Sequence, residues 1–305
     1  MLKFIDLFCG IGGFRYAIKR ASNELGLISK CLFSSDIDVE CQKTYFNNFL
    51  EKPFGDISKI DDRDIPDHDI LLAGFPCQPF SIIGQGHGFD DSRGTLFFEI
   101  SRILAKKKPK AFVLENVKRL VSHNNGHTMK NIIQTLKNVG YHVSYKVLNA
   151  LDFGLPQKRE RVFIVGVNKA IKYTWPKPNI KMKPLEEILE KEVDKKYYVS
   201  KHIRDKRFSK KKPTKNITIW HENKSGNICA YPYSCALRAG ASYNYLLVNG
   251  IRRLTDREML RLQGFPDNFK IVSSYTNLRK QAGNSLPIPV AQAVIKELLV
   301  ALNCD

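Results

Sequence analysis

A strand, a glycine-rich turn and a helix follow one another within the first 18 residues of the chain. Residues 2–8 alternate and then become apolar, residues 9–13 contain three glycines, and residues 14–18 begin a helical period. Such a turn lets the backbone and the amino end of the helix approach a ligand. Its Gly-x-Gly-Gly spacing departs from the dinucleotide fingerprint and disfavours a hydride-transfer cofactor. This pattern predicts the first unit of an α/β fold.

Further apolar runs of strand length recur along the chain, and residues that can carry chemistry follow several of them. The predicted strands lie at 30–35, 69–73, 111–114, 141–148 and 162–166, with a further short strand before residue 55. Helical spacing is found at 95–104, 128–139 and 287–302. Strands that alternate with helices indicate an α/β sheet.

Several aspartates follow the early strands. A carboxylate at the end of the second strand, Asp36, can accept both ribose hydroxyls of an adenosine. Helix capping is the alternative, and it is the interpretation that we favour for Asp38. Asp56 with Ile57 can bind an adenine amine and flank its ring, or Asp56 can be an ordinary turn residue.

Cys77 lies in a stiff loop directly after the predicted strand 69–73. Pro76 and Pro79 remove two backbone donors and restrict the chain on both sides of it. A cysteine at the carboxyl end of a strand is a candidate nucleophile, whereas a buried structural cysteine is the commoner case. Glycines at 84, 86, 88 and 94 then indicate a lid that opens and closes.

Charged residues border two later strands. Glu115 ends a fully apolar strand, where a carboxylate is costly unless chemistry uses it or backbone donors satisfy it. Arg159 and Arg161 alternate with Glu160, so both are expected to face one side and to hold an anion or a base carbonyl.

Composition limits the class of protein and its partners. The 305 residues are 43% hydrophobic and 26% charged, as in a soluble globular protein, and no run is as apolar as a membrane span. Residues 1–6 enter a strand at once and leave no room for a signal peptide. Seven cysteines without a Cys-x-x-Cys pair indicate neither a disulfide framework nor a zinc site, and they fit a reducing cytoplasm. The net charge of +19 indicates a polyanionic partner, with nucleic acid the first candidate.

Six ordered motifs resemble those of cytosine-5 DNA methyltransferases, most closely the small bacterial restriction–modification enzymes of the HhaI type. They lie at 4–13, 74–78, 115–117, 157–161, 252–266 and 281–285. One departure is the Ala-Leu-Arg at 236–238, where relatives usually carry Thr-Leu.

The resemblance implies an α/β fold with a Rossmann-like S-adenosylmethionine-dependent methyltransferase sheet and a smaller, basic target-recognition domain. The expected catalytic and cofactor-binding domain is 1–175 with 281–305, and the expected small domain is 176–280. The implied reaction transfers a methyl group from S-adenosylmethionine to C5 of a flipped cytosine and leaves S-adenosylhomocysteine, without a metal. The expected protein is a cytoplasmic monomer acting on double-stranded nucleoid DNA, with no membrane association and no stable complex with a cognate restriction endonuclease.

Site residues follow from the same resemblance, position by position. The catalytic residues are Cys77, Glu115, Arg159 and Arg161. The cofactor-binding residues are Asp6, Phe8, Gly10, Gly12, Gly13, Asp36, Asp56, Ile57, Asn284 and Ser285. The DNA-binding residues are Gln78, Ser81, Arg93, Lys210, Lys211, Lys212 and Arg238.

The stretch between the motifs at 157–161 and 252–266 has a basic first half. By resemblance, this stretch carries the family's variable target-recognition region, which runs to about residue 250. Residues 168–216 contain 16 basic and 6 acidic side chains, a net charge of +10 that attracts phosphates. Six polar or aromatic residues can contact the groove, and half or more are expected in the core: Trp220, His221, Tyr231, Tyr233, Tyr243 and Tyr245. Competing interpretations are a related transfer-RNA enzyme, a catalytically inactive DNA-binding regulator and a nicotinamide dehydrogenase.

Overall fold

The structure is a computed structural model that describes residues 1–76, 96–168 and 171–303. The strands of these residues are β1 Leu2–Leu7, β2 Ser29–Ser35, β3 Ile70–Gly74, β4 Ala111–Val117, β5 His142–Asn149, β6 Gln157–Lys158, β7 Glu160–Val167, β8 Ile219–Glu222, β9 Ile228–Tyr231, β10 Ser234–Cys235 and β11 Leu246–Val248. The helices are α1 Gly13–Glu24, α2 Val39–Phe49, α3 Leu96–Lys107, α4 Arg119–Ser122, α5 His127–Asn138, α6 Lys201–Lys210, α7 Asp256–Gln263, α8 Tyr275–Asn284 and α9 Ile288–Asn303.

The chain divides into two compact units. The first unit comprises Met1–Leu148, Glu160–Lys177 and Ala291–Asp305, and the second comprises Asn149–Arg159 and Pro178–Val290. Residues 149–159 and 281–290, which were expected in the catalytic domain, lie in the second unit. The assignment of catalysis to one domain and target recognition to the other stays a prediction.

A six-stranded sheet forms the centre of the first unit. Its strand order is β2-β1-β3-β4-β7-β5. The strands β2, β1, β3 and β4 run parallel to one another, whereas β7 runs antiparallel to β4. Apolar side chains of β1, β3, β4 and β7 pack with those of α3 and α5 in one core cluster. The parallel strands direct their carboxyl ends to one edge, and the predicted α/β fold is confirmed.

Two sequence expectations about the aspartate region have clear outcomes. Asp38 caps α2, because its carboxylate accepts hydrogen bonds from the amides of Glu40 and Cys41. The short strand expected before residue 55 is wrong: Phe54 forms a single bridge with Ser35, and the chain then turns. Too few apolar residues precede the turn for this segment to continue pairing along β2 as a strand.

Among its described residues, the second unit contains two small sheets and the whole of the α-helices α6, α7 and α8. The strands β11, β8 and β9 form an antiparallel sheet, and β6 pairs in parallel with β10. Glu258, which is fully buried, accepts hydrogen bonds from both terminal nitrogens of Arg252 at 2.8 Å and completes a capping box with Thr255. This network anchors the start of α7.

The segment Tyr275–Leu302 is long and apolar enough, by length and composition, to cross a membrane. It consists of two helices that are interrupted after Asn284, and 56% of its most apolar window is buried within the protein. The predicted apolar face of α9 is buried, with Val290, Val294 and Leu298 fully inaccessible to solvent. Burial of this kind is typical of a core helix, although no run of this hydropathy was expected from the sequence.

Candidate active site

Glu115 and Arg161 form an ion pair at the end of β4. Arg161 is paired in register with Val117 on the adjacent strand. The Oε1 atom of Glu115 is 3.0 Å from Nε of Arg161, and the side chains are 10% and 14% exposed. Because a buried carboxylate requires a charged or hydrogen-bonding partner, each residue stabilises the other in this position. The structure thus brings together two of the predicted catalytic residues.

The carboxyl end of β3 adjoins this ion pair. Gly74 is paired in register with Glu115, and a Cβ atom on Gly74 would lie 3.7 Å from Oε2 of Glu115. The side-chain amide of Asn116 donates to the carbonyl of Phe75 at 2.9 Å. Asn116 therefore holds the chain as it leaves β3, a role that was not expected from the sequence. The only indication in the sequence was a side-chain amide next to a buried apolar run, because such an amide requires a hydrogen-bond partner.

Four predicted site residues follow β3 in the chain. The nucleophile Cys77 and the DNA-binding candidates Gln78, Ser81 and Arg93 lie outside the described residues. Their roles stay predictions.

The glycine-rich turn has a backbone that favours glycine. Phe8, Gly10 and Gly12 have φ values of 54°, 53° and 87°. A Cβ atom on Gly12 would lie 2.3 Å from the ring of Phe49, so no larger residue fits without displacement of that ring. Gly13 starts α1 directly afterwards. The turn therefore presents backbone rather than side chains at the amino end of α1.

Asp6 is a buried carboxyl group next to this turn. Its side chain is fully buried in β1, and neither oxygen accepts a well-formed hydrogen bond from the described residues. Burial, against the opposing effect of Arg15 and together with the charge of Asp36, raises the pKa of Asp6 to about 8. Asp6 is therefore largely protonated at neutral pH. Its predicted contact with a cofactor stays a prediction.

Asp36 connects the end of β2 to the glycine turn. One carboxylate oxygen accepts from the amide of Gly10 at 2.8 Å, and the other accepts from the amide of Asp38 at 2.9 Å. Its neighbour Ile37 is 72% exposed. A carboxylate beside an exposed apolar side chain suits a ribose with an adjoining base. The sequence analysis did not predict a role for Ile37, although its position directly after Asp36 indicated that it could flank the same ligand.

Asp56 and Ile57 lie in a short helical turn. Asp56 accepts from the amide of Ser58 at 3.0 Å and from its hydroxyl at 2.7 Å, and these hydrogen bonds, the hydroxyl foremost, lower the pKa of Asp56. Ile57 is 3% exposed and belongs to the core cluster, so little of its side chain is available to flank a ring. Arg102 on α3 donates to the carbonyls of Ile57 and Ile60, both at 3.3 Å.

The guanidinium group of Arg159 is engaged within the second unit. Arg159 is 1% exposed and donates to the carbonyls of Leu237, Gly283 and Ser285 at 2.9, 2.8 and 2.5 Å. These contacts correct the expectation that its side chain is presented, like that of Arg161, to hold an anion. The catalytic role predicted for Arg159 is therefore not favoured by its hydrogen bonds.

Other predicted residues of the second unit are more accessible. Asn284 and Arg238 are exposed, and Ser285 is half-buried. Lys212 is exposed, Lys211 is half-buried, and the amine of Lys210 donates to the carbonyl of Gly226 at 2.8 Å. Among the six aromatic or polar candidates, only Trp220 and Tyr245 are buried, fewer than the half expected. The other four retain exposed surface.

No group of three or more His, Cys, Asp or Glu side chains suited to a metal ion occurs within residues 1–76, 96–168 and 171–303.

Comparisons with known proteins identify the family of the chain. The sequence profile of the C-5 cytosine-specific DNA methylase family matches residues 2–300. The chain is 56% identical to the type II methyltransferase M.NgoBI of Neisseria gonorrhoeae over 299 residues, which cover 97% of this chain and 92% of that one. It is 55% identical to the type II methyltransferase M.HaeII of Haemophilus aegyptius over 306 residues, with 99% and 94% covered.

Solved structures share the fold at low sequence identity. The Dnmt2 methyltransferase of S. pombe superimposes with a TM-score of 0.75 at 21% identity and 99% coverage of both chains. A putative DNA modification methyltransferase encoded within an E. coli prophage gives a TM-score of 0.76 at 21% identity, with 99% and 100% covered. The chain therefore belongs to the C-5 cytosine-specific DNA methylases. Its enzyme class is DNA (cytosine-5-)-methyltransferase, and membership of a methyltransferase family implies use of S-adenosylmethionine.

Proposed function

We propose that the protein methylates C5 of a flipped cytosine within a specific sequence of double-stranded DNA, through a transient covalent bond between Cys77 and C6. The ion pair of Glu115 with Arg161 beside the end of β3 is the observation that carries this proposal. The type II methyltransferases at 55–56% identity support a place in a restriction–modification system. Such an enzyme acts on cellular DNA, which supports a cytoplasmic location.

The residues of the first unit fit S-adenosylmethionine. Positive φ angles at Gly10 and Gly12 open the backbone at the start of α1, and Asp36 offers a carboxylate at the end of β2. Ile37 offers an exposed apolar side chain beside it. Asn284 stays a candidate only from its place in the family's last motif. When bound, S-adenosylmethionine supplies an electrophilic methyl group on a sulfonium.

The cytosine must be made electron-rich at C5 before it can accept a methyl group. The thiolate of Cys77 adds to C6, and the electron density that moves into the ring makes C5 nucleophilic. Negative charge then develops at N3 and O2. A protonated Glu115 donates to N3 and so prevents charge from accumulating there. Once C5 carries the methyl group, a base removes the C5 proton, and the electron pair of that C–H bond expels Cys77 from C6 as a thiolate and restores the aromatic ring.

Arg161 has two functions in this scheme. In the free protein its guanidinium forms an ion pair with Glu115, with Nε of Arg161 3.0 Å from Oε1 of Glu115. When a cytosine enters, the same guanidinium can donate to O2 and stabilise the developing charge. Extrusion of the base costs a few kcal/mol, which contacts of the basic second unit with phosphates offset.

A covalent trap tests this function directly. Fluorine at C5 cannot leave as a proton, so methyl transfer to 5-fluorocytosine leaves the enzyme bonded to the DNA. A duplex that carries 5-fluorocytosine at the target should give a complex that survives denaturing electrophoresis when S-adenosylmethionine is present. The Cys77→Ser variant should give none, because its hydroxyl is rarely ionised near neutral pH. Glu115→Gln should slow complex formation by about 10²–10³-fold.

The control duplex carries unmodified cytosine and should release the enzyme. A complex that persists in Cys77→Ser would contradict the assignment of the nucleophile. Trapping on fluorinated transfer RNA, with none on DNA, would identify the protein as a transfer-RNA enzyme instead. Methylation mapping of DNA from expressing cells then identifies the sequence that is modified, and exchange of residues 168–250 for those of a relative should change it.

A further inference from the structure

Arg159 joins two segments that are far apart in the sequence. Its Nη1 donates to the carbonyl of Leu237, 78 residues away, and its Nη2 donates to the carbonyls of Gly283 and Ser285, 124 and 126 residues away. The side chain is 1% exposed. Because charge-assisted hydrogen bonds in a dry environment are strong and directional, both segments are held to one rigid planar group.

Gln157 provides a second, indirect connection between the two segments, through the end of α7. Its Oε1 accepts from the amide of Leu237 at 3.0 Å, and its Nε2 donates to the carbonyl of Leu262 at 2.8 Å. The neighbouring Gln263 donates to the carbonyl of Ala282 at 2.6 Å. Both backbone polar groups of Leu237 are thus satisfied by side chains of β6 and the residue after it.

The two segments also touch directly. A Cβ atom on Gly283 would lie 2.4 Å from the backbone nitrogen of Ala239, so only glycine permits this approach. The segment 236–239 is also held by Tyr245, whose hydroxyl accepts from the amide of Arg238 at 2.9 Å. The guanidinium of Arg238 lies 4.8 Å from the centre of the same ring. A displacement of either segment must therefore move the other.

Each segment exposes one residue with a predicted ligand. Asn284 lies between the two carbonyls that bind Arg159 and is a candidate for the cofactor, and Arg238 follows Leu237 and is a candidate for DNA. We infer that Arg159 is a positioning residue that couples cofactor binding to DNA binding by holding these two segments together. The inference rests on the proposed function, because that function supplies both ligands.

The coupling can be measured with S-adenosylhomocysteine, which binds without turnover. The coupling factor is the ratio of its dissociation constants without and with a target duplex, determined by calorimetric titration. The wild type should give a factor of about 5 or more. Arg159→Lys keeps the charge but cannot reach three carbonyls, so the factor should fall to within about twofold of one.

Two variants separate positioning from catalysis and from general damage. Arg252→Lys alters another buried arginine of the second unit, which bonds Glu258, and should keep the wild-type coupling factor. At saturating ligands, single-turnover methylation by Arg161→Lys should fall by about 10²-fold, whereas Arg159→Lys should lose less than about tenfold. An equal loss in both would overturn the positioning role, as would an unchanged coupling factor in Arg159→Lys.

The wild type alone provides a test that does not depend on folding of a variant. Addition of S-adenosylhomocysteine should slow amide hydrogen exchange at residues 236–239, although these residues belong to the DNA-binding segment. Unchanged exchange there would overturn the inference even if the 5-fluorocytosine trap succeeds. Absence of the trap in the wild type would instead refute the proposed function.

Discussion

Asp6 should make the stability of the protein depend on pH in a direction opposite to that of an ordinary carboxylate. It is fully buried in β1, and this burial raises its pKa to about 8. The folded protein therefore holds a proton that the unfolded chain releases near pH 4. Because the folded state binds more protons, the contribution of Asp6 to the free energy of unfolding is complete below pH 4 and is lost as the pH rises towards 8.

The size of the effect follows from the two pKa values. Between its unfolded and folded pKa, each pH unit lowers the contribution by about 1.4 kcal/mol. From pH 5 to pH 8 the loss amounts to about 3–4 kcal/mol, a large fraction of the stability of a typical domain. Asp6→Asn removes the titration and preserves the shape of the side chain.

Guanidinium denaturation of the wild type and Asp6→Asn at pH 5, 6.5 and 8, followed by circular dichroism, measures this contribution. The difference in unfolding free energy between the two proteins should shift by about 3–4 kcal/mol in favour of Asp6→Asn as the pH rises. Asp56→Asn is the matched control, since hydrogen bonds from Ser58 lower the pKa of the half-buried Asp56 and its carboxylate is ionised throughout this range. A constant difference between wild type and Asp6→Asn would show that Asp6 is ionised in the folded protein and would refute the reasoning.

Three further predictions test other contacts. In the same denaturation assay, Gly12→Ala should lower the unfolding free energy by about 1–3 kcal/mol. A Cβ atom on Gly55 would meet nothing within 4 Å, so Gly55→Ala should change the unfolding free energy by no more than about 0.5 kcal/mol. Equal effects of the two substitutions would contradict the packing argument. Arg102→Ala should weaken S-adenosylmethionine binding by about 1–3 kcal/mol in calorimetry, because the turn that bears Ile57 loses its side-chain donor. An unchanged affinity would show that this turn does not contribute to cofactor binding. Lys211→Ala with Lys212→Ala should reduce the salt slope of DNA binding by about one unit per lost phosphate contact, with an unchanged methylated sequence; a new sequence would assign these lysines to base recognition.

The sequence was sufficient for features that depend on neighbouring residues. The strands β1, β3, β4 and β7 were visible as apolar runs, and Asp38 was identified as a helix cap. The ordered motifs were sufficient to identify the family, which the profile match over residues 2–300 confirms. The short strand before residue 55 was wrong, because residues 51–54 carry too little apolar surface to hold a register.

The pairing of distant side chains was decided by the tertiary structure. Local alternation placed Arg159 with Arg161, yet Arg159 bonds carbonyls 78 and 124 residues away while Arg161 binds Glu115. Likewise, Asp6 was visible as an acid on a strand, but its burial and raised pKa depend on elements packed around β1. Alternation and composition are properties of a few consecutive residues, so the sequence by itself determined the strands and the candidate groups. The partner and the solvation of each group depend on which distant segments meet it, and only the folded chain decides this.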